Sequence, residues 1–318
     1  MFQKAAVLTR LVASSVKIAQ KAGNVIKAVT ATADLKIVDK GKNGELDIQT
    51  EADRSAQYCI EKSLQTKFDN KLVIIGEEEV TSAVPDLELD VDGDVLKLDG
   101  KLTGELRDAK LEDFVVWVDP LDGTSEFAKA VKTMSDVLVQ VTVLIGICYK
   151  GRSVGGVIHQ PFYGNNGRTI WGIVGVGTYG VHVLKATEKK VIVTTRSHLT
   201  PQVTRALDTL KGKGLCDEVK QVGGAGFKVL QCLDGATAYV FASAGCKKWD
   251  TAGPEACLRA AGGDLTDISG RNLCYDAHVQ HLNSGGVLAT APGVSHADYV
   301  NAITDDLKKE LPEIVSKQ

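Results

Sequence analysis

An apolar run, Phe114-Val115-Val116-Trp117-Val118, ends abruptly at Asp119-Pro120-Leu121-Asp122-Gly123-Thr124. The run reads as a buried strand, so two carboxylates and a hydroxyl are set side by side on a rigid element where the strand gives way to a turn. Pro120 fixes one φ angle, and Gly123 lets backbone approach a ligand closely. That is how a protein holds metal ions against a phosphate, although an ordinary D-P-x-D-G turn capping a core strand has the same composition.

Three further segments place carboxylates beside apolar runs. Leu72-Val73-Ile74-Ile75-Gly76 reads as a strand that stops at Glu77-Glu78-Glu79. Like charges this close raise each other's pKa, so the triplet belongs either on a solvated face or around metal. Ala238 to Ala242 reads as a strand, followed by Gly245-Cys246-Lys247-Lys248-Trp249-Asp250-Thr251 and a helix with Pro254 in its first turn and Gly262-Gly263 as its stop. Asp250 there is either an N-cap or a ligand at an anion-attracting helix start. Asp53 follows Thr50-Glu51-Ala52 and opens a helical pattern through Ala56, Cys59, Ile60 and Leu64, where it also suits the helix dipole.

Taken in order, these four segments resemble the magnesium-dependent, lithium-sensitive phosphatases of the inositol monophosphatase superfamily, and within them the bisphosphate nucleotidase branch. The residues carrying the likeness are Gly76 to Glu79, Trp117 to Thr124 and Trp249 to Glu255, with branch-specific stretches at 11–14, 18–23, 141–147, 167–171, 194–198, 223–226 and 245–251. The resemblance covers nearly the whole chain and is weakest between about 84 and 112. It implies that Glu77, Asp119, Asp122, Asp250 and the Leu121 carbonyl ligate two or three Mg²⁺ ions, with Asp53 and Thr124 orienting and deprotonating the attacking water. An all-oxygen set without His or Cys suits that hard cation. Gly123, Thr124, Ser197, His198, Gly224, Lys228 and Lys247 are expected to contact substrate, with Glu78, Arg196 and Lys248 as further candidates. Phe227 stands where the family is expected to carry Asn.

The implied activity is removal of the 3'-phosphate from adenosine 3',5'-bisphosphate, giving AMP, and from 3'-phosphoadenylyl sulfate, with inhibition by Li⁺. Hydrolysis of inositol phosphates uses the same chemistry and is separated from it only by the pocket from 194 to 248. No C-x5-R loop or activated serine is recognisable, so in-line attack by water is expected. Replacing Asp122 or Asp250 by Asn is expected to abolish activity with little loss of fold.

With 37 basic and 40 acidic residues among 318, the chain gives no reason to expect a nucleic-acid or membrane partner. Seven cysteines without C-x-x-C spacing suit reduced thiols in a cytoplasmic enzyme, expected to act as a monomer on a small nucleotide. Lys4, Arg10, Lys17, Lys21 and Lys27 precede the first acid, Asp34, as in a mitochondrial presequence, but Val7, Leu8, Leu11, Val12, Ile18 and Ala19 recur at helical spacing and fit the family's first helix.

The pattern predicts an α/β (α+β) protein: two N-terminal helices, strands near 72–76, 114–119, 140–148, 153–159, 169–175, 191–195 and 237–242, and helices at about 201–211, 224–233, after Pro254 and from His296. By resemblance this is the layered α-β-α-β-α sugar-phosphatase fold, with subdomains 1–185 and 186–318 meeting at the active cleft. The acidic, glycine-bearing span from Pro85 to Lys110 is expected to be a mobile surface excursion. Residues 130–138 look lengthened relative to the family, close enough to the site to modify access.

Overall fold

The computed structural model describes residues 1–31, 35–39, 48–78, 87–133 and 135–313. Helix α1 (Val7–Thr30) carries a buried stripe of Leu8, Leu11, Val12, Ile18, Ala19 and Ile26, as its periodicity predicts. After a short hairpin of β1 (Val38–Asp39) and β2 (Ile48–Gln49), helix α2 (Glu51–Lys67) packs against α1. Both cover one face of a six-stranded sheet. Its strands are β3 (Val73–Gly76), β4 (Phe114–Asp122), β5 (Thr142–Tyr149), β6 (Arg152–Gln160), β7 (Arg168–Ile173) and β8 (Gly177–Tyr179), in spatial order β3-β4-β5-β6-β7-β8. Only β3–β4 is a parallel pair, and the others are antiparallel.

The span before β4 corrects one expectation. Residues 85 and 86 lie outside the described residues, but from 87 onward the chain folds onto α1 through helix α3 (Gly93–Lys97) and short 3-10 turns. Val95, Leu96, Leu102 and Ala109 enter the same core as α1 and α2, and the Asp92 N–H donates to the Ala13 carbonyl. Charge count misleads here because four apolar side chains suffice to anchor the span.

Beyond β4, helix α4 (Thr124–Ala130) is followed by two 3-10 turns, Val131–Thr133 and Asp136–Gln140. The five-stranded sheet is built from later residues: β9 (Val191–Thr195), β10 (Glu218–Val222), β11 (Ala238–Phe241), β12 (Asp264–Thr266) and β13 (Val287–Thr290), in order β10-β9-β11-β13-β12. Strands β9, β10 and β11 run parallel. Helices α6 (Ala225–Leu233) and α7 (Lys248–Ala260) lie between the two sheets, while α5 (Pro201–Gly212) and α8 (His296–Ala302), followed by α9 (Asp305–Glu310), close the outer face. The result is the five-layer α-β-α-β-α order.

A row of missing side chains seats α7. Gly146 pairs with Gly156 and Gly156 with Gly172 across β5, β6 and β7. A Cβ at Gly146 would lie 2.4 Å from the Ala252 Cβ, and one at Gly156 would lie 2.1 Å from the Gly253 carbonyl oxygen. The helix therefore rests on sheet backbone. The sequence places Pro254 in the first turn of this helix, opened by Asp250 or Thr251; the structure begins it at Lys248 and holds Pro254 in its interior. An interior proline costs about 3 kcal/mol. Here that cost is offset by the seating of Ala252, Gly253 and Ala256, and the carbonyl that loses its donor belongs to Asp250 in the first turn.

Candidate active site

The acids at the end of β4 converge because of a register shift. Asp119 pairs with Leu144 and Asp122 with Thr142, so three steps on β4 oppose two on β5. In a regular strand, residues three apart face opposite sides, and the extra residue turns Asp122 onto the side of Asp119. Trp117 and Asp119 alternate onto the α7 side, and α7 presents Asp250 from its first turn. Oxygens of Asp119, Asp122 and Asp250 all lie within 4.8 Å of one another. On the other flank, the Glu77 N–H donates to the Val118 carbonyl at 3.1 Å, continuing the parallel β3–β4 ladder and setting Glu77 beside Asp119.

Each acid has a distinct tether. Asp119 Oδ1 accepts from the Leu121 N–H at 3.0 Å. Asp122 Oδ1 accepts from the Ala225 N–H at 2.8 Å, and its Oδ2 accepts from the Gly226 N–H at 2.9 Å and the Thr142 hydroxyl at 2.7 Å. It thereby satisfies the otherwise unpaired N–H groups that open α6. Asp250 Oδ2 accepts from the Lys247 N–H at 2.7 Å. These tethers revise one expectation: Asn at 250 can keep its single backbone bond, whereas Asn at 122 would turn an NH₂ group toward a donor, so that change costs fold as well as chemistry.

The electrostatics follow from crowding. Burial, then the charges of Glu77, Asp122 and Asp250, push Asp119 well above the usual carboxylate range. Burial also raises Asp122 against the opposing pull of Lys228. Burial and the Asp122 charge raise Asp250 to about 6. Carboxylates that resist ionisation together are a site that takes cations in place of protons. Oxygen donors at this spacing fit Mg²⁺.

Beside the acids, Thr124 Oγ1 lies 3.0 Å from both Asp53 Oδ1 and the Leu121 carbonyl oxygen, so one hydrogen serves two acceptors. Asp53 is fixed as the N3 residue of a capping box, where its Oδ2 accepts from the Thr50 N–H at 2.8 Å and from the Thr50 hydroxyl. Burial raises Asp53 to about 6, against the Thr50 bonds. Glu78, whose carboxylate accepts from the Gln49 amide, adds its charge to Asp53, so the two adjacent glutamates serve opposite flanks.

The candidate substrate residues gather at the carboxyl edge of the parallel strands, where open α/β sheets leave a crevice. Arg196, Ser197 and His198 follow β9 and are exposed, with Ser197 Oγ 2.8 Å from His198 Nδ1. Gly223 and Gly224 follow β10, and Lys247 follows β11. Gly224 has φ 64°, and a Cβ there would meet the Gln140 carbonyl at 2.7 Å and Asp122 at 2.8 Å, so backbone must be bare at this point. Lys228 is buried, donates to the Gly224 carbonyl at 2.9 Å and opposes the Asp122 charge. Phe227 is buried one residue earlier. Lys248 does not belong here: its side chain is buried and donates to Asn283 Oδ1 at 2.8 Å and Glu313 Oε1 at 3.1 Å. Those partners lie far along the chain, beyond the reach of local pattern.

Other contributors went unread in the sequence. Gln140 Oε1 accepts from the Gly223 N–H at 2.7 Å, and the buried Glu126 carboxyl packs against Gly223. Thr50 was findable, since Thr50 with Asp53 three residues on has the capping-box spacing.

The fold and this acidic cluster point to a phosphatase class. Residues 8–307 match the inositol monophosphatase family, and the chain belongs to it. Members are generally Mg²⁺-dependent and act on small phosphate esters, and the acidic cluster agrees with that dependence. Among curated relatives, the chain is 45% identical to 3'(2'),5'-bisphosphate nucleotidase 1 of Rattus norvegicus over 96% of its length and 97% of the relative's. It is also 45% identical to the Homo sapiens protein of that name with the same coverage, and 33% identical to that of Dictyostelium discoideum over 93% and 96%. Of solved structures, the suhB protein of Bartonella henselae superposes with TM-score 0.64 at 20% identity, covering 92% of this chain and 97% of that one, which speaks for the fold.

Proposed function

We propose that this chain hydrolyses the 3'-phosphate of adenosine 3',5'-bisphosphate, giving AMP and inorganic phosphate, and acts likewise on 3'-phosphoadenylyl sulfate. The observation that carries the reading is the meeting of Asp119, Asp122 and Asp250 within 4.8 Å beside the Thr124–Asp53 pair. Substrate choice is supported by 45% identity to bisphosphate nucleotidases, against 30% to inositol monophosphatase 3 of Xenopus laevis.

In this reading Glu77, Asp119, Asp122, Asp250 and the Leu121 carbonyl would hold two or three Mg²⁺ ions. Bound Mg²⁺ neutralises phosphoryl oxygens and makes water more acidic. Thr124 donates to Asp53 and keeps lone pairs toward the attacking water, whose proton passes through Thr124 to Asp53. The water oxygen bonds to phosphorus opposite the 3'-oxygen, the bond from phosphorus to the 3'-oxygen breaks, and that oxygen leaves as the hydroxyl of AMP with a proton from solvent, to which Asp53 returns the proton it holds.

Gly123 offers bare backbone to the scissile phosphate. Arg196, Ser197, His198, Gly224, Lys228 and Lys247 receive the nucleotide and its distant phosphate. Added Li⁺ is expected to inhibit turnover. The enzyme acts as a monomer in the cytoplasm without nucleic-acid or membrane partners. A net charge of −3 and seven unpaired cysteines support that view, and no described helix is long and apolar enough to cross a membrane.

The test compares phosphate release from adenosine 3',5'-bisphosphate, 3'-phosphoadenylyl sulfate, inositol 1,4-bisphosphate and inositol 1-phosphate, with Mg²⁺ and with added Li⁺. Preference for either inositol ester refutes the assignment.

A further inference from the structure

A buried cation two residues before Asp250 has no counterpart in the proposed chemistry. The Lys248 side chain is 1% exposed, and its ammonium is held by Asn283 Oδ1 at 2.8 Å and Glu313 Oε1 at 3.1 Å. Glu313 is itself 9% exposed; its other oxygen accepts from the Gly285 N–H at 3.1 Å and the Ser284 hydroxyl at 3.3 Å. Asn283 reaches back to the same helix start: its amide donates to the Lys247 carbonyl at 2.9 Å and to Thr251 Oγ1 at 3.1 Å. Main-chain bonds join in, from the Lys248 N–H to the His281 carbonyl at 2.7 Å and from the Asn283 N–H to the Cys246 carbonyl at 2.8 Å.

Residues on both sides of Asp250 are therefore clamped to one small assembly, and among the described residues Glu313 is the carboxylate that pairs with Lys248. We propose that Glu313 is a positioning residue for the metal-binding end of α7, acting through Lys248 and Asn283. The assignment rests on the reading of Asp250 as a Mg²⁺ ligand. Removing one member of a buried ion pair leaves the other charge uncompensated, and the ammonium must then move to water or to other acids. Either movement shifts the turn that aims Asp250.

The test is MgCl₂ titration by calorimetry on the full chain, together with kcat and KM for adenosine 3',5'-bisphosphate. E313A, and E313Q as the near-isosteric variant that keeps the fold, are expected to weaken Mg²⁺ binding about tenfold and lower kcat, with KM for the nucleotide unchanged. E313D is expected to recover most of the Mg²⁺ affinity. A merely structural role would lower Tm and leave Mg²⁺ affinity in place. A wild type that binds Mg²⁺ alongside E313A and E313Q within twofold of it overturns this inference alone. A wild type that binds no Mg²⁺ overturns the proposed function with it.

Discussion

Asp250→Asn should stabilise the metal-free protein while abolishing activity. The folded protein raises the Asp250 pKa from 3.8 to about 6, chiefly by burial and secondarily through Asp122. At ~1.4 kcal/mol per pKa unit, an ionised Asp250 costs the folded state about 3 kcal/mol. Asn removes that charge and keeps an oxygen for the Lys247 N–H. The pH dependence follows from the direction of the change. Below pH 3.8 both folded and unfolded chains hold the proton and no penalty exists. From there to about 6 only the folded chain holds it, so stability falls as pH rises, and above 6 the penalty is complete. In EDTA at pH 7.5, thermal melts should place Asp250→Asn about 5 °C above wild type, with the gap closing near pH 4. Added Mg²⁺ should raise the wild-type Tm and leave the variant unmoved. A variant that melts lower than wild type in EDTA at pH 7.5, or that gains as much from Mg²⁺, would refute the view that uncompensated carboxylate charge shapes this site.

Thr124→Val removes the hydroxyl shared by Asp53 and the Leu121 carbonyl; kcat should fall about 10²–10⁴-fold with KM nearly unchanged, and Thr124→Ser should restore most of it. Turnover in ¹⁸O-water should place one labelled oxygen in phosphate with inversion at phosphorus, and retention would exclude in-line attack. Gly156→Ala puts a methyl 2.1 Å from the Gly253 carbonyl, which should cost about 3 kcal/mol in denaturant unfolding and weaken Mg²⁺ binding, because α7 must lift. Unchanged Mg²⁺ affinity in that variant would show that α7 seating does not set the position of Asp250.

How much of this was legible follows the range of the forces involved. The β4 strand and its two aspartates could be read because apolar run, proline and glycine are neighbours in sequence. The first turn of α2 could be read because capping acts over three residues. The start of α7 could not, since glycines on three other strands decide it and proline alone argued otherwise. Lys248 reads as a further substrate contact until Asn283 and Glu313 arrive from 35 and 65 residues away and hold its ammonium elsewhere. Strand β10, with its exposed middle residues, carries too little apolar signal to stand out. The hairpin partner β8 is only three residues long. The anchoring of the span after residue 87 depends on a few side chains within an acidic background.

The bond from Asp122 to the opening of α6 ends on main-chain N–H groups, and it therefore places no demand on what Ala225 or its successors carry. It does demand that little be carried: a Cβ at Gly226 would lie 2.6 Å from both Leu144 and Thr142, and one at Gly224 would strike Asp122. Divergence among descendants of this chain is thus free to rewrite the nucleotide crevice by altering bulk farther along α6, while the seam between the two sheets tolerates almost no added atom. Preference for one ester over another can drift there, and the hydrolytic machinery need not follow.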